Sequence, residues 1–254
     1  RRSMENTEKF TGKADVYAKY RPGYPAELFV HLYHKYSLDA SSAVADIGSG
    51  TGIFTRELLK SGMKVKAVEP NADMRLTAER QLKFCPNFES VNGSAEHTTL
   101  SDGSIDLVTA AQAFHWFDPC LFRKECTRIL KKDRFAVLVW NHRIDSAPLM
   151  EENAEVCRKF CADFHGFSGS RTRDPALFRA FFRGGRYEEL EFPHDLPLDL
   201  DAFIGRNLSA SYAPLRGSEQ YPLFIEALVE LFRKYEREGR VLMPNVTRCY
   251  AGQV

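Results

Sequence analysis

With 254 residues, 44% of them hydrophobic, the chain is long enough for one large core or a core with an inserted cap, and no apolar run reaches the roughly 20 residues that span a bilayer. Thirty-five Lys and Arg against 34 Asp and Glu leave a net charge of +1, which excludes a bulk basic field for nucleic acid and leaves only a local patch open. Six scattered cysteines read as reduced thiols, and the N-terminal RRSMENTEKF has no apolar signal core. The expectation is therefore a soluble cytoplasmic protein, with Arg1 to Ser3, ahead of Met4, a tag remnant.

In chain order, residues 1–38 read as an arm: the aromatic and cationic stretch ADVYAKYRPGYP, then a helix from Ala26 to Tyr36. Tyr17, Tyr20 and Tyr24 offer π-faces to a cation and Arg21 a partner to a carboxylate. The arm is thus a candidate cover, with Tyr17, Tyr20 and Arg21 as substrate contacts; the competing reading packs the tyrosines on a sheet edge. Residues 39–142 alternate short apolar runs with helical stretches, the pattern of a parallel sheet covered by helices. Strands are expected at 43–47, 64–69, 88–92, 104–110 and 134–141 and helices near 53–61, 72–83 and 119–130, with Asn71 and Asp118 as caps. Residues 143–185 read as a helical cap. Cys157, Cys161 and His165 fall at i, i+4 and i+8 of a predicted helix there, a face of small apolar thiols rather than a metal site, and no metal is expected. Residues 186–254 complete the sheet, with strand-like 186–192 and 240–251 around helices at 200–211 and 219–238.

The chemistry concentrates in ADIGSGTGIF, residues 45–54, where Gly48, Gly50 and Gly52 follow the first strand. This is neither a dinucleotide fingerprint nor a P-loop, since Thr51 and Ile53 stand where Gly and Lys belong. Asp46 just before the glycines repels a pyrophosphate and suits an ammonium or sulfonium. Glu69, 17 residues past Gly52, is placed to accept both hydroxyls of an unphosphorylated ribose, which argues against NADP, and Ser94 after the third strand is placed to meet an adenine edge.

The segments VADIGSGTGIFTREL, KAVEPNADM, VNGSAEHTTLSDGSIDLVTAAQAFHWF and RILKKDRFAVLVWN resemble the class I S-adenosylmethionine-dependent methyltransferases, in the small-molecule branch related to the ubiquinone/menaquinone and trans-aconitate enzymes. The resemblance implies a Rossmann-like, doubly wound α/β/α sandwich, mostly parallel with an antiparallel C-terminal strand and a helical cap. It implies S-adenosyl-L-methionine as cofactor and S-adenosyl-L-homocysteine as product. Asp46, Gly48 and Gly50 would hold the methionine part, Glu69 the ribose, Met74, Ala95 and Glu96 the adenine surroundings and Gln112 the inner side, with Ser49, Gly52, Pro70 and Ser94 also counted as cofactor contacts. Ser94 departs from the pattern, which often has Asp there.

His115, just past the fourth strand, is the candidate general base, and Trp116 a substrate contact; the alternative is that both simply pack. Arg171, Arg173, Arg179, Arg183 and Arg186 suggest an anionic acceptor, against the plainer reading of a solvated helix face. The expected function is methyl transfer to a small-molecule acceptor, an acidic one among the candidates, with no membrane partner. The competing readings are a cofactor-binding protein without turnover and an NAD(P)-dependent oxidoreductase.

Overall fold

The computed structural model describes residues 23–167 and 174–254, so Tyr17, Tyr20, Arg21, Arg171 and Arg173 lie outside the described residues. The strands are β1 (Ala43–Ile47), β2 (Lys64–Val68), β3 (Phe88–Val91), β4 (Ile105–Ala111), β5 (Leu130–Arg143), β6 (Glu188–Pro193), β7 (Leu196–Leu198), β8 (Val241–Met243) and β9 (Asn245–Gln253). The chain forms two compact units, residues 23–141, 174–192 and 247–254 in the first and residues 142–167 and 193–246 in the second.

The first unit is built on a seven-stranded sheet in the order β3-β2-β1-β4-β5-β9-β6. β1 pairs in parallel with β2 and β4, β2 with β3, and β4 with β5. β9 runs the other way: Ile144 N–H donates to Pro244 O, while Thr247 Oγ1 donates to Asn141 Oδ1, so positions fall on one strand as they rise on the other.

Alternation along the strands dresses both faces, because successive side chains point to opposite sides. Val44, Leu107, Val137 and Val139 meet Leu28 and Leu32 of α1 (Ala26–Lys35) and Phe54 and Leu58 of α2 (Ile53–Lys60). After α3 (Ala72–Leu82) comes α4 (Pro119–Ile129), whose Phe122, Cys126 and Ile129 join Ala45, Ile47, Leu138 and Trp140 on the other face. Asn71 and Asp118 cap α3 and α4 as expected, Asn71 accepting from Met74 N–H and Asp118 from the N–H groups of Cys120 and Leu121.

The second unit holds α5 (Pro148–Phe160), α7 (Leu200–Leu208) and α8 (Gln220–Tyr235) with the antiparallel pair β7 and β8, around Met150, Cys157, Phe203, Phe224, Leu228 and Val241. The single strand expected at 240–251 is two. Pro244 has no N–H to continue a ladder, so β8 ends there and β9 enters the main sheet. The units also group the chain differently from a cap at 143–185. Residues 174–185 go with the sheet because Phe178 and Phe181 of α6 (Pro175–Phe181) and Phe182 pack into the cluster of Phe122, Trp140 and Tyr250, while 193–246 join α5. α5 stops at Phe160, so Cys161 has left the helix and the face predicted to run on to His165 is broken. Burial pushes the Cys157 thiol up to about 12, as for a packed, inert group. No helix among the described residues is long and apolar enough to cross a membrane.

Candidate cofactor site

The chain leaves β1 at Ile47 and turns through 48–52 into α2 at the carboxyl edge of the sheet, the edge where parallel α/β sheets bind ligands. All three glycines have left-handed φ, +68°, +56° and +83°, but they serve different ends. A Cβ at Gly48 would meet Ala113 Cβ at 2.8 Å and Phe117 Cζ at 3.0 Å, so this glycine lets the loop lie against the 112–117 turn. One at Gly52 would press on Leu82 and Ala78 of α3 at 3.0 and 3.2 Å. At Gly50 nothing lies within 4 Å. Gly50 alone of the three faces open space, in a cleft that Asp46, Gly48, Ser49, Thr51, Gln112 and Tyr24 also line.

Two buried carboxylates hold this edge, Asp46 in the cleft wall and Glu69 behind the loop. Asp46, 1% exposed, accepts from Thr55 Oγ1 at 2.6 Å and Thr109 Oγ1 at 3.0 Å. Burial pushes its carboxyl up to about 6, against the pull of both hydroxyls and with a small further push from Glu69. Glu69, 8% exposed, accepts from Gly50 N–H at 2.9 Å and Asn71 N–H at 2.8 Å. Burial raises its carboxyl while those two amides and Arg75 hold it back. The carboxylate read as a ribose contact thus also ties the glycine loop to the turn before α3, with lone pairs left for two hydroxyl donors.

The loop amides are largely used internally. Gly48 and Ser49 N–H donate to Val68 O, and Gly52 N–H to Ser49 O. The groups left free to donate are instead at the start of α2, which has no side-chain cap, and at Thr51, whose buried Oγ1 has no partner. Sequence reasoning passed over Thr51, although a hydroxyl inside a glycine turn is itself a signal. An orphaned hydroxyl, an open glycine and a carboxylate together fit the zwitterionic amino acid end of S-adenosylmethionine.

The remaining predicted residues sit along the same edge. Gln112 leaves β4 with φ +55°, an uncommon conformation for a side-chain-bearing residue, its N–H bonded to Val139 O at 2.8 Å. Pro70 and buried Met74 flank Glu69 at the turn into α3. Beyond β3, Ser94 Oγ accepts from His97 N–H, Ala95 is buried, and Glu96 accepts from Asp118 N–H at 2.9 Å, so the Glu96 carboxylate helps hold the start of α4. Thr98 anchors this loop on Glu125, whose carboxyl burial raises but Arg128 and Thr98 outweigh, bringing it down to about 2. His115 is exposed in the short turn Phe114–Trp116, its ring 4.8 Å from the half-buried ring of Trp116. The Trp140 indole N–H, in a residue 2% exposed, donates to His115 Nδ1 at 3.4 Å. Since indole only donates, Nδ1 is the acceptor and the neutral ring carries its hydrogen on Nε2.

Residues 45–138, which contain this loop and both carboxylates, match the methyltransferase domain family. An uncharacterised methyltransferase-like protein of Schizosaccharomyces pombe is 36% identical over 166 residues, 64% of each chain. An uncharacterised methyltransferase of Mycobacterium tuberculosis is 34% identical over 147 residues, 58% of each chain. The matches therefore span 58–64% of the length of these relatives. A protein of Anaeromyxobacter dehalogenans provisionally assigned as a type II methyltransferase shares the fold with a TM-score of 0.69 at 21% identity, over 92% of this chain and 97% of that one. YcgJ of Bacillus subtilis does so with a TM-score of 0.53 at 19% identity, over 91% and 100%. From the cleft and these relationships alike, residues 45–138 form a methyltransferase domain of the S-adenosylmethionine-dependent kind.

Proposed function

We propose that the protein transfers a methyl group from S-adenosylmethionine to a small-molecule acceptor. The observation that carries this reading is the open face of Gly50, with Asp46 lining the same cleft and Glu69 accepting from the Gly50 N–H, a place for a cationic nucleoside without phosphates. The cofactor supplies a methyl group on a positively charged sulfur, a displacement that needs alignment more than acid–base help, and alignment contributes roughly 7–11 kcal/mol. In this reading Asp46 balances the ligand's positive charge, Thr51 and the start of α2 take its carboxylate, and Glu69 with Pro70 takes the ribose. Met74, Ser94, Ala95 and Glu96 surround the base, and Gln112 lies on the inner side.

The segment before Gly23 is proposed as the cover over this edge. Tyr24 lines the cleft and stands edge-on to Phe54 at 4.9 Å, and Asn141 Nδ2 donates to Gly23 O at 3.0 Å, which supports bringing the arm to the cleft mouth. His115 and Trp116 are proposed to meet the acceptor. For His115 to take a proton through Nε2 the ring must first exchange its Trp140 contact for protonation at Nδ1; until then it donates from Nε2. Arg183 lends no support to an acidic acceptor, because its guanidinium holds the carbonyl oxygen of Val254. All six cysteines are unpaired, which suits a reducing, cytoplasmic setting.

Calorimetric titration with S-adenosylmethionine, NADH and NADPH tests the cofactor: binding of the sulfonium compound alone is expected, and dinucleotide binding in its place would refute the reading. A turnover screen with methyl-labelled cofactor over small acids, phenols, amines and tRNA then separates an enzyme from a protein that only binds. Label transfer to a small molecule is expected.

A further inference from the structure

The second unit contains a polar cluster that the cofactor site does not use. Arg143, the last residue of β5, lies over the Phe167 ring, 5.1 Å from its centroid. Phe167 packs edge-on against Phe164 at 5.2 Å, and Phe164 against Tyr212 at 5.0 Å. The half-buried guanidinium lies against the Tyr212 hydroxyl and near the Cys157 thiol. Among the described residues it forms no ion pair; Asp145 feels its charge without reaching it. One turn before Cys157, on the same buried face of α5, Asn153 is 1% exposed, and neither its Oδ1 nor its Nδ2 has a partner.

Each feature is unfavourable on its own. A buried amide with both atoms unsatisfied is rare in a folded protein, and a guanidinium drawn into an aromatic cluster with no carboxylate in contact among the described residues loses hydration for little return. One ligand group answers the guanidinium and the donor half of the amide. A carboxylate accepts from Arg143, from the Tyr212 hydroxyl and from Asn153 Nδ2–H, while the rings of Phe164 and Phe167 cover the apolar part that carries it.

We infer that Arg143, Tyr212 and Asn153 form an anion subsite that takes a small organic carboxylate. As a statement about the methyl acceptor this rests on the proposed function; as a statement about binding it stands by itself.

Benzoate and hexanoate, each beside its uncharged amide, are titrated calorimetrically into the full chain. The acids are expected to bind saturably and the amides at least tenfold more weakly. Arg143→Met should weaken acid binding by tenfold or more and Arg143→Lys by less, with S-adenosylmethionine affinity unchanged in both. Should Arg143→Met fail to fold, Arg143→Lys carries the test, and full retention of acid affinity in it overturns the inference. Asn153→Leu separates a binding group from a packing defect. Removing an orphaned amide should raise Tm in either case, but the inference requires carboxylate affinity to fall with it. A higher Tm with unchanged affinity overturns the assignment of Asn153, and with it the subsite as stated. So does the lack of saturable binding of both acids below about 10 mM, or equal binding of acid and amide. Carboxylate binding without S-adenosylmethionine binding would refute the cofactor reading and leave the subsite standing.

Discussion

At the cofactor edge two buried carboxylates are each held by two hydrogen bonds, Asp46 by Thr55 and Thr109 and Glu69 by the amides of Gly50 and Asn71. In the helical unit Asn153, as deeply buried, is held by none. The first arrangement is already organised, so a ligand finds its contacts in place and little ordering has to accompany binding. In the second the protein tolerates an unfavourable group that a ligand would satisfy. The two regions thus differ in what satisfies their polar groups, the fold itself at the sheet edge and, in the proposed subsite, a ligand.

The sharpest way to break the first half of this comparison is at the glycines. Gly48→Val should cost roughly 2–6 kcal/mol of stability, from a disallowed backbone angle plus overpacking against Ala113 and Phe117, read as a lower denaturant midpoint. Gly50→Val carries only the backbone strain, about 1–3 kcal/mol. It should stay folded while S-adenosylmethionine affinity falls by roughly a hundredfold or more as a side chain fills the cleft. If both variants lost stability equally and neither lost affinity specifically, the division of labour among the glycines would be wrong.

Glu69→Ala should weaken cofactor binding by somewhat more than tenfold, ~1.5–3 kcal/mol, since ribose bonds and the tie to Gly50 go together. Unchanged affinity in the folded variant would separate the carboxylate from the ribose.

Asp46 gives a smaller, pH-dependent effect with a definite sign. Its folded carboxyl is raised to about 6 from an ordinary 3.8, so the folded state binds the proton more tightly than the unfolded one. Stability should therefore fall as pH rises from about 4 to about 6 and level off above. A cationic ligand favours the ionised form, so binding near pH 6 should expel up to about half a proton, rising toward one near pH 5, where affinity should be lower. Calorimetry in two buffers of different ionisation heat measures this, and Asp46→Asn should abolish it; zero release in the parent protein would mean the carboxylate does not sense the ligand.

The smallest effect concerns His115. Nitrogen-15 shifts of its ring should report hydrogen on Nε2, and His115→Ala should cost about 1 kcal/mol as Trp140 loses its acceptor. Once an acceptor is found, that variant should lower turnover without lowering cofactor affinity. A loss of affinity instead would make His115 a packing residue.

The strand–turn–helix frame of this edge was legible because it is local. Asp46, the glycines and Asn71 lie within one strand–turn–helix unit and its neighbour, where apolar runs and turn chemistry leave few alternatives. What escaped depends on partners far along the chain. Nothing near Glu96 in sequence signals that its carboxylate accepts from Asp118 N–H, 22 residues on. Arg183 read as an anion site, but it holds Val254. β7 is three residues with a proline at its centre, too short to show alternation, and it exists because β8 lies beside it. Asn153 gives no signal at all in sequence, since a polar residue on a helix is ordinarily exposed.

The place of β9 between β5 and β6 bears on how such a chain is made. About a hundred residues separate Arg143 from Asn245, and at roughly 5–20 residues per second a ribosome needs about 5–20 s to supply them. During that interval β5 is an outer strand with an open row of backbone donors and acceptors and apolar neighbours at Val137, Val139 and Trp140, the kind of edge on which nascent chains associate. Yield on expression should then follow temperature and chaperone supply during synthesis more closely than the stability of the finished protein.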